Sequence, residues 1–459
     1  MTKPAFALSA LAASALALGA GSATALSPTV DVGEILRRVA ASDTRAMKIT
    51  EDLSTEVAYR LAGSPGEARA RDWAVARLRA EGFPRVTVQP FTITYWGRLW
   101  ERVSVVGEQA QPLVARAIGG SPGTPDGGLE ADVVRFENLD ALRAAPAGSL
   151  TGKIAYVGDV MQVARDGAGY GPAVAKRRDC APLAAERGAV ACVIRSAGTS
   201  LNHAHVGQGR RGELAPIPAA VLSNAAANQL ERLLVRGPVR LKLDIGVETR
   251  ENAPSGNVIA EIPGTLRPNE IVVFACHLDT WDVAPGASDD AFGCGVVTSA
   301  VLNVVQTIGP PQRTIRVIWF GAEEVGVIGG RVYADSVRDS IETHVFAGES
   351  DSGSGPVWRL DTRFGPGATE GVAARMFRDL APLGVEPGTN TGSAGPDIVP
   401  LQNLGVPIVD PVQDMTGYFS IHHTPDDVLE QIDIVDVRQN VAVWSVMAWY
   451  AGWTDMRFR

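Results

Sequence analysis

The sequence predicts an α/β fold, a doubly wound, mixed sheet with helices on both faces. From residue 255 onward, strand-like and helix-like patterns alternate along the chain. The runs 271–276 and 315–320 are almost wholly apolar, the second broken only by Arg316, which is typical of central strands covered on both sides. Apolar residues at helical spacing lie at 291–307, 328–338, 369–380 and 434–450. Strands that alternate with helices in this way favour parallel pairing in one open sheet.

Residues 26–116 have a different pattern. Helical spacing of apolar residues extends over 32–61 and resumes at 67–81, after a Gly- and Pro-containing break. A strand-like alternation follows at 84–94. We expect this segment to form the N-terminal part of the main domain, together with residues 250–459.

Residues 117–249 change the pattern again. One helix is predicted at 181–187, and short strand-like runs lie at 154–157, 189–194, 219–222 and 239–245. Turns rich in Gly and Pro separate these runs, and no cluster of chemically reactive side chains accompanies them. The segment is therefore predicted to be a β-rich insert in the main domain.

The first 25 residues predict a signal peptide. Lys3 supplies a basic start, residues 5–20 are apolar, and Ala23-Thr24-Ala25 fits a small-x-small cleavage pattern. We expect cleavage after Ala25 and an exported protein, either periplasmic or secreted. The apolar stretch is short for a membrane span, and no later stretch is expected to reach that length, so no stable membrane anchor is predicted.

The charge and the cysteines of the sequence limit which partners and which cysteine chemistry are expected. The net charge of −9, without a stripe of Lys and Arg, argues against a nucleic-acid-binding surface. Export permits disulfides, and Cys180–Cys192 with Cys276–Cys294 is one of the three pairings open to four cysteines. Four buried free thiols are the alternative. The cysteine spacing does not match that of a zinc finger.

Imidazole and carboxylate side chains are concentrated near the ends of the predicted strands. Because the carboxyl ends of parallel strands meet at one edge of a sheet, we expect these side chains to lie close together. Together they are what a hydrolytic Zn²⁺ site needs, and a spare Glu can serve as its base. The residues are His277, Asp279, Asp289, Asp290, Glu323, Glu324, Asp351, His422 and His423.

The two acidic pairs suggest a division of roles. A cap for the helix that follows Asp289-Asp290 needs only one Asp. Two adjacent carboxylates repel each other, and cations nearby would offset that repulsion. We interpret Asp289 as a carboxylate that bridges two metals and Asp290 as its support. Of the second pair, Glu324 is interpreted as a metal ligand and Glu323 as the general base. A helix cap and a solvated turn are the plainer alternatives for the two pairs.

The histidines divide into ligand candidates and structural residues. His277 directly follows the apolar run 271–276, and Asp279 can orient its ring. Either residue of His422-His423 can supply a second imidazole. His344 begins a predicted strand and is expected at the surface, whereas His203 and His205 in the insert are interpreted as mostly structural.

These motifs resemble the zinc-dependent exopeptidases of peptidase family M28, and most of all the carboxypeptidase Q subfamily with its bacterial relatives. The resemblance covers nearly the whole chain after the signal peptide. It is carried by Leu61-Ala62-Gly63-Ser64, Val86-Thr87-Val88-Gln89-Pro90, His277-Leu278-Asp279-Thr280-Trp281-Asp282, Ala322-Glu323-Glu324, Glu349-Ser350-Asp351 and Tyr418-x-x-x-His422-His423.

The resemblance implies the zinc exopeptidase fold, which is phosphorylase/hydrolase-like, with a protease-associated domain inserted at 117–249. It also implies two Zn²⁺ per chain. One zinc would be held by His277 and Asp351 and the other by Glu324 and His423, with Asp289 between them. A hydroxide shared by the zincs would attack the peptide, with Glu323 as general base and His422 stabilising the tetrahedral intermediate.

The substrate is expected to be a dipeptide or a short peptide with free termini. Glu349, Asp397 in the loop 391–397, and His205 are the candidates for binding it. A broad aminopeptidase acting on longer peptides is the alternative with the same metal site. Glutaminyl cyclisation with one zinc, and a non-catalytic binding protein, are further alternatives that the complete ligand set disfavours. The resemblance also favours a homodimer.

Overall fold

The computed structural model describes residues 31–459, so the predicted signal peptide lies outside the described residues. Residues Gly33–Arg459 form one compact unit. The helices are α1 (Val32–Ala40), α2 (Arg45–Asp52), α3 (Pro65–Ala80), α4 (Leu139–Ala144), α5 (Tyr170–Glu186), α6 (Asn224–Arg236), α7 (Phe292–Ile308), α8 (Ile328–Val337), α9 (Val372–Leu380), α10 (Val399–Asn403) and α11 (Ile434–Trp453).

The strands are β1 (Arg85–Val106), β2 (Gln111–Leu113), β3 (Ala115–Ala117), β4 (Leu129–Phe136), β5 (Ile154–Val157), β6 (Ala191–Arg195), β7 (Ala219–Leu222), β8 (Arg240–Ile262), β9 (Arg267–His277), β10 (Arg313–Phe320), β11 (His344–Glu349), β12 (Val357–Arg363), β13 (Glu386–Pro387) and β14 (Ile408–Gln413). They form one mixed sheet in the order β13-β12-β14-β11-β9-β10-β8-β4-β5-β6-β7-β3, with β1 paired to β8 and β2 to β1. Strands β9, β10 and β11 pair in parallel, whereas β8 and β12 pair with their neighbours β10 and β14 in the antiparallel sense.

Strand β9 shows why both faces of the sheet are covered. Alternate side chains of a strand point to opposite faces. Val273 and Ala275 belong to a buried cluster that includes residues of α8 and α10. Phe274 contacts Trp444 of α11, with ring centroids 5.8 Å apart. The prediction of a mixed α/β sheet with helices on both faces is therefore confirmed.

The two longest strands extend well beyond their predicted ranges. Strand β1 continues to Val106, and β8 spans Arg240–Ile262, so the expected domain boundary at residue 249 lies inside a strand. The two strands pair antiparallel over almost their whole length, with register shifts between Ile93 and Tyr95 and between Arg98 and Trp100. These irregularities interrupt the alternation from which strands are recognised in a sequence.

Residues 117–249 contain more helix than predicted. Helix α5 begins at Tyr170 rather than at residue 181, and α4 and α6 were not predicted. Strands β4, β5, β6 and β7 pair in parallel in that order. The description of this segment as β-rich with a single helix was therefore wrong, because the parallel connections from β4 to β5 and from β5 to β6 each contain a helix, and α6 follows β7.

Two further expectations were wrong. His344 is buried, and its Nε2 lies 2.9 Å from the hydroxyl of Tyr333, because β11 is an inner strand covered by α8. The segment Ala287–Ile308 is long and apolar enough to span a membrane by length and composition alone, although no such stretch was expected. Of its 18-residue apolar stretch, 78% is buried within the protein, as in a core helix.

Two disulfides are formed, Cys180–Cys192 and Cys276–Cys294. The first joins α5 to β6. The second joins the end of β9, directly before His277, to the first turn of α7. It therefore ties together two segments that carry candidate metal ligands.

Candidate metal centre

The centre is built around Asp289, whose two carboxylate oxygens face different histidines. Oδ1 lies 2.9 Å from Nε2 of His277, at the end of β9. Oδ2 lies 3.3 Å from Nε2 of His423. Asp289 thus occupies the position between the two imidazoles that a bridging ligand requires.

Each imidazole has a second carboxylate of its own. Nε2 of His277 is 3.4 Å from Oδ1 of Asp351, in the loop after β11. Nε2 of His423 is 2.9 Å from Oε2 of Glu324, in the turn after β10. The five predicted ligands therefore divide into two groups that share Asp289.

These five side chains fit zinc. Imidazole nitrogens and carboxylate oxygens are the donors of hydrolytic zinc sites, and all of them converge from separate segments. Oδ2 of Asp289 is buried without a hydrogen bond from the described residues. A void of about 10 Å³ is bordered by Asp289, Glu324 and His423, and such a void has room for one atom of the size of a water oxygen.

Asp279 holds the turn that carries both glutamates. Its carboxylate oxygens accept hydrogen bonds from the backbone N–H groups of Glu323, at 3.0 Å, and Glu324, at 3.2 Å. The ring of His277 is instead oriented by the backbone carbonyl of Asp279, which lies 3.0 Å from Nδ1. Ala322, just before this turn, has the left-handed conformation at φ 58, a backbone strain typical of functional sites.

Asp290 joins the end of β9 to the start of α7 through its carboxylate. Its carboxylate accepts hydrogen bonds from the backbone N–H of His277, at 3.1 Å, and of Gly293, at 3.0 Å. A Cβ atom at Gly293 would lie 2.1 Å from the carbonyl oxygen of Ser350, so only glycine fits there. The peptide bond between Asp289 and Asp290 is cis.

Two buried residues of the centre were not found from the sequence. Asp427 accepts hydrogen bonds from the backbone N–H groups of Ser288, at 2.7 Å, and Asp289, at 3.2 Å. Its acidic neighbour Asp426 makes the same kind of pair as Asp289-Asp290, and that signal could have identified it. Arg60 is fully buried and donates to the carbonyls of Leu278, Ala58, Pro285 and Gly286, a role that no sequence pattern reveals.

The loop with His422 and His423 is held by the segment 117–249. The carbonyl of Val206 accepts from Nδ1 of His423 at 2.9 Å, and the N–H of Val206 donates to the carbonyl of His423. His205 is fully buried, and its Nε2 accepts from the N–H of Ser200 at 3.2 Å. Its Nδ1 therefore carries the proton and donates to the carbonyl of His422 at 2.7 Å. His205 therefore supports the loop with His422 and His423 from behind and does not border the cavity on the other side of that loop.

His422 stacks on His423, with ring centroids 3.6 Å apart. Its Nε2 is 3.5 Å from Oδ2 of Asp289, and its buried Nδ1 has no hydrogen-bond partner among the described residues. Burial lowers the pKa of His422 well below its usual range. His423 has a left-handed backbone, at φ 59, which turns two successive imidazoles toward the same centre.

Glu349 and Asp397 lie together, away from the cavity wall. Oε2 of Glu349 accepts from the backbone N–H of Asp397 at 2.9 Å, and Oδ1 of Asp397 accepts from that of Gly330 at 2.9 Å. Oε1 of Glu349 and Oδ2 of Asp397 are buried without a hydrogen bond from residues 31–459. Of the loop 391–397, Pro396 borders the cavity beside the centre.

Burial shapes the charge of the centre. It raises the pKa of Asp279 and of Asp427 to about 7. It also raises the pKa of Glu323 well above its usual range, an effect that His277 opposes and Asp351 reinforces. Burial acts to raise the pKa of Asp289 too, but its contacts with both histidines hold that pKa well below the usual range. A divalent cation would supply the positive charge that so many buried carboxylates lack.

A cavity of about 410 Å³ opens on the centre. Asp289, Glu323, Glu324 and Asp351 border it, as do both histidines of the loop. The opposite wall comes from the segment 117–249. It includes Gly167, Tyr170, Arg177, Gln208 and Arg211.

Comparisons with known proteins indicate the family of this chain. The model of peptidase family M28 matches residues 257–448. Carboxypeptidase Q of Mus musculus is 30% identical over 397 residues, which make up 86% of this chain and 82% of that protein. The chain belongs to peptidase family M28. The family resemblance that its motifs carry is thereby confirmed.

Two solved structures have the same fold as this chain. A peptidase M28 precursor from Shewanella amazonensis is 41% identical, with a TM-score of 0.89 over 93% of this chain and 97% of that one. A zinc aminopeptidase from Bacillus subtilis is 21% identical, with a TM-score of 0.65 over 90% of this chain and 95% of that one. The second likeness shows a shared fold alone.

Proposed function

We propose that this M28 peptidase is an exported di-zinc exopeptidase that hydrolyses dipeptides or short peptides with free termini. The observation that carries the proposal is the position of Asp289 between two imidazole–carboxylate pairs. His277 and Asp351 would hold one Zn²⁺, and His423 and Glu324 the other. Carboxypeptidase Q and zinc aminopeptidases among its relatives support a metal-dependent exopeptidase.

The side chains around the centre supply the remaining chemistry. When bound, zinc would polarise the scissile carbonyl and lower the pKa of the attacking water. Glu323 borders the cavity, and its side chain makes no hydrogen bond or ion pair with residues 31–459, so it is free to take the proton of that water. It would then return the proton to the leaving amine. His422 would donate an N–H to the oxygen on which negative charge develops.

The cavity supports a short substrate. At about 410 Å³ it is within the range of small-molecule sites, and the segment 117–249 forms its far wall. We propose that this segment is a protease-associated insert that limits how much peptide can extend past the centre. Two disulfides within the described residues support export to an oxidising compartment.

Metal content and turnover test this function together. Gently purified protein should contain about two zincs per chain, whereas about one zinc would favour glutaminyl cyclisation and none a binding protein. Glu323→Gln should retain the zincs and lose on the order of 10³-fold or more in kcat on a dipeptide, because the general base is gone. A matched control is Glu386→Gln, since Glu386 is exposed on the edge strand β13. Near-normal turnover by the Glu323 variant would remove Glu323 as the base.

The position of cleavage separates an exopeptidase for short peptides from a broad aminopeptidase. A dipeptide should be hydrolysed much faster than its N-acetylated form and faster than a hexapeptide with the same first two residues. Equal rates on the dipeptide and the hexapeptide would favour the aminopeptidase.

A further inference from the structure

The disulfide Cys276–Cys294 closes a loop that contains two of the proposed zinc ligands. Its sequence separation is 18 residues, and His277 and Asp289 both lie between the two cysteines. Cys276 directly precedes His277 in β9, and Cys294 lies in the first turn of α7. Both cysteines are fully buried. The bond therefore fixes, from within the core, both ends of the segment that presents these ligands.

The disulfide also contacts the backbone of His277. Sγ of Cys294 lies 3.3 Å from the carbonyl oxygen of His277. On the other side, the N–H of His277 donates to the carboxylate of Asp290, which also accepts from the N–H of Gly293. The disulfide and Asp290 thus hold the backbone from which the imidazole of His277 extends.

The imidazole of His277 needs an accurate position to bind zinc. Its Nε2 lies 2.9 Å from Oδ1 of Asp289 and 3.4 Å from Oδ1 of Asp351. Zinc–nitrogen and zinc–oxygen bonds are about 2.0–2.2 Å long, so a small shift of the ring lengthens or compresses them. Loss of a group that orients a metal ligand typically weakens metal binding by about 10- to 100-fold.

The other imidazole position is held by contacts outside the disulfide loop. The carbonyl of Val206 accepts from Nδ1 of His423 at 2.9 Å. Glu324 follows β10, which comes after the loop in the chain. Asp289, which both positions share, donates its N–H to the carboxylate of Asp427 at 3.2 Å. Zinc at this second position should therefore depend little on the disulfide.

We propose that the Cys276–Cys294 disulfide positions His277 and thereby tightens zinc binding at the first position, formed with Asp351, but not at the second, formed by His423 and Glu324. The inference rests on the proposed function and makes its metal centre more specific. Strand β9 pairs in parallel with β10 and β11, so the strand stays in place without the disulfide. Loss of the bond should loosen the ligand rather than unfold the chain.

Zinc affinity of the metal-free, full-length protein tests the proposal, by competition with a fluorescent chelator. Each zinc position is isolated by removing a ligand of the other: Glu324→Ala leaves the first position, and Asp351→Ala leaves the second. The disulfide is removed in both backgrounds by Cys276→Ala with Cys294→Ala. Zinc binding should weaken about 10- to 100-fold at the first position and less than about threefold at the second. Unchanged affinity at the first position, or equal weakening at both, would overturn the proposal.

The disulfide Cys180–Cys192 supplies the matched control. Both of its cysteines are also fully buried, and its sequence separation is 12 residues. The buried cluster that contains them includes no described residue of the metal centre. Because stabilisation by a disulfide varies with the logarithm of loop length, either alanine pair should lower Tm by a similar amount. Zinc binding should weaken only without Cys276–Cys294, and equal weakening by both pairs would overturn the proposal, since it would mark a merely structural bond.

A second variant and a separate assay keep the outcome clear. If the alanine pair does not fold, Cys276→Val with Cys294→Ala replaces it, because Val suits a buried strand and Ala a helix. Zinc binding is measured without substrate, so selective weakening in a protein that cleaves no dipeptide would count against the proposed function alone. If the wild type holds a single zinc, the two-zinc function fails. Weaker binding of that zinc without the disulfide would still support the positioning role, and unchanged binding would overturn it.

Discussion

Asp279→Asn tests how the turn that carries Glu323 and Glu324 is held. The change preserves the size of the side chain and replaces one of its two acceptor oxygens with an NH₂ group. In the structure both oxygens are used, by the backbone N–H groups of Glu323 and Glu324. The variant can keep one of these hydrogen bonds and leaves the other N–H facing a second donor. A buried N–H without an acceptor costs about 1–3 kcal/mol.

The expected loss of activity follows from this cost. If about 2.7 kcal/mol is lost from the positioning of the two glutamates, kcat/KM falls about 100-fold, since each 1.36 kcal/mol is a factor of ten. The assay is kcat/KM on a dipeptide, with zinc content and thermal unfolding measured on the same preparation. Zinc should be partly lost, because Glu324 is one of the proposed ligands.

Asp361→Asn is the matched control for this prediction. Asp361 is also buried, and its carboxylate accepts from the backbone N–H of Thr389 at 2.6 Å. It lies on β12, which contributes no residue to the centre. This variant should lose stability but keep kcat/KM within about threefold. If Asp279→Asn also keeps kcat/KM within about threefold, with zinc unchanged, the reasoning is refuted.

Three other expectations concern the metals, the insert and pH. Asp289→Ala should lose at least one of the two proposed zincs, as measured by atomic absorption, and unchanged zinc stoichiometry would rule out Asp289 as a bridging ligand. His205→Ala should lower kcat/KM by at least about tenfold, because a buried hydrogen bond to the carbonyl of His422 is lost, whereas His203→Ala, at a half-buried site, should not. In metal-free protein, burial raises the pKa of Asp279 and Asp427 to about 7. Between about pH 4 and pH 7 these two carboxyl groups are therefore protonated in the folded state and ionised in the unfolded state. The free energy of unfolding in urea should therefore fall from pH 5 to pH 8, and a rise would contradict the charge of the centre described here.

The sequence predicted the central sheet well and the insert poorly. Strands β9 and β10 contain nearly continuous apolar runs. Such runs are typical of strands that are covered on both faces, so these two strands could be predicted from the sequence. Helix α6 was missed although Ser223 caps it and Leu230 and Leu233 share its buried face. Its 13 residues form a helix of ordinary length whose buried apolar side chains share one face, so the helical spacing was present in the sequence.

The side chains of the site could be predicted from their positions near strand ends, but the backbone groups that orient them could not. Imidazoles and carboxylates near strand ends were predicted to meet, and in the structure Asp289 lies 2.9 Å from Nε2 of His277 and 3.3 Å from Nε2 of His423. The carbonyl of Val206, which orients His423, is a backbone atom, so no residue type marks it in the sequence. Arg60 likewise binds only carbonyls, and its importance appears once the chain has folded.

The most direct test of the proposed two-zinc centre is an anomalous difference map, recorded at the zinc edge, from crystals of the zinc-loaded protein. We predict two peaks per chain: one between His277 and Asp351, one between His423 and Glu324, with Asp289 in contact with both. A single peak, or peaks away from Asp289, would contradict the account.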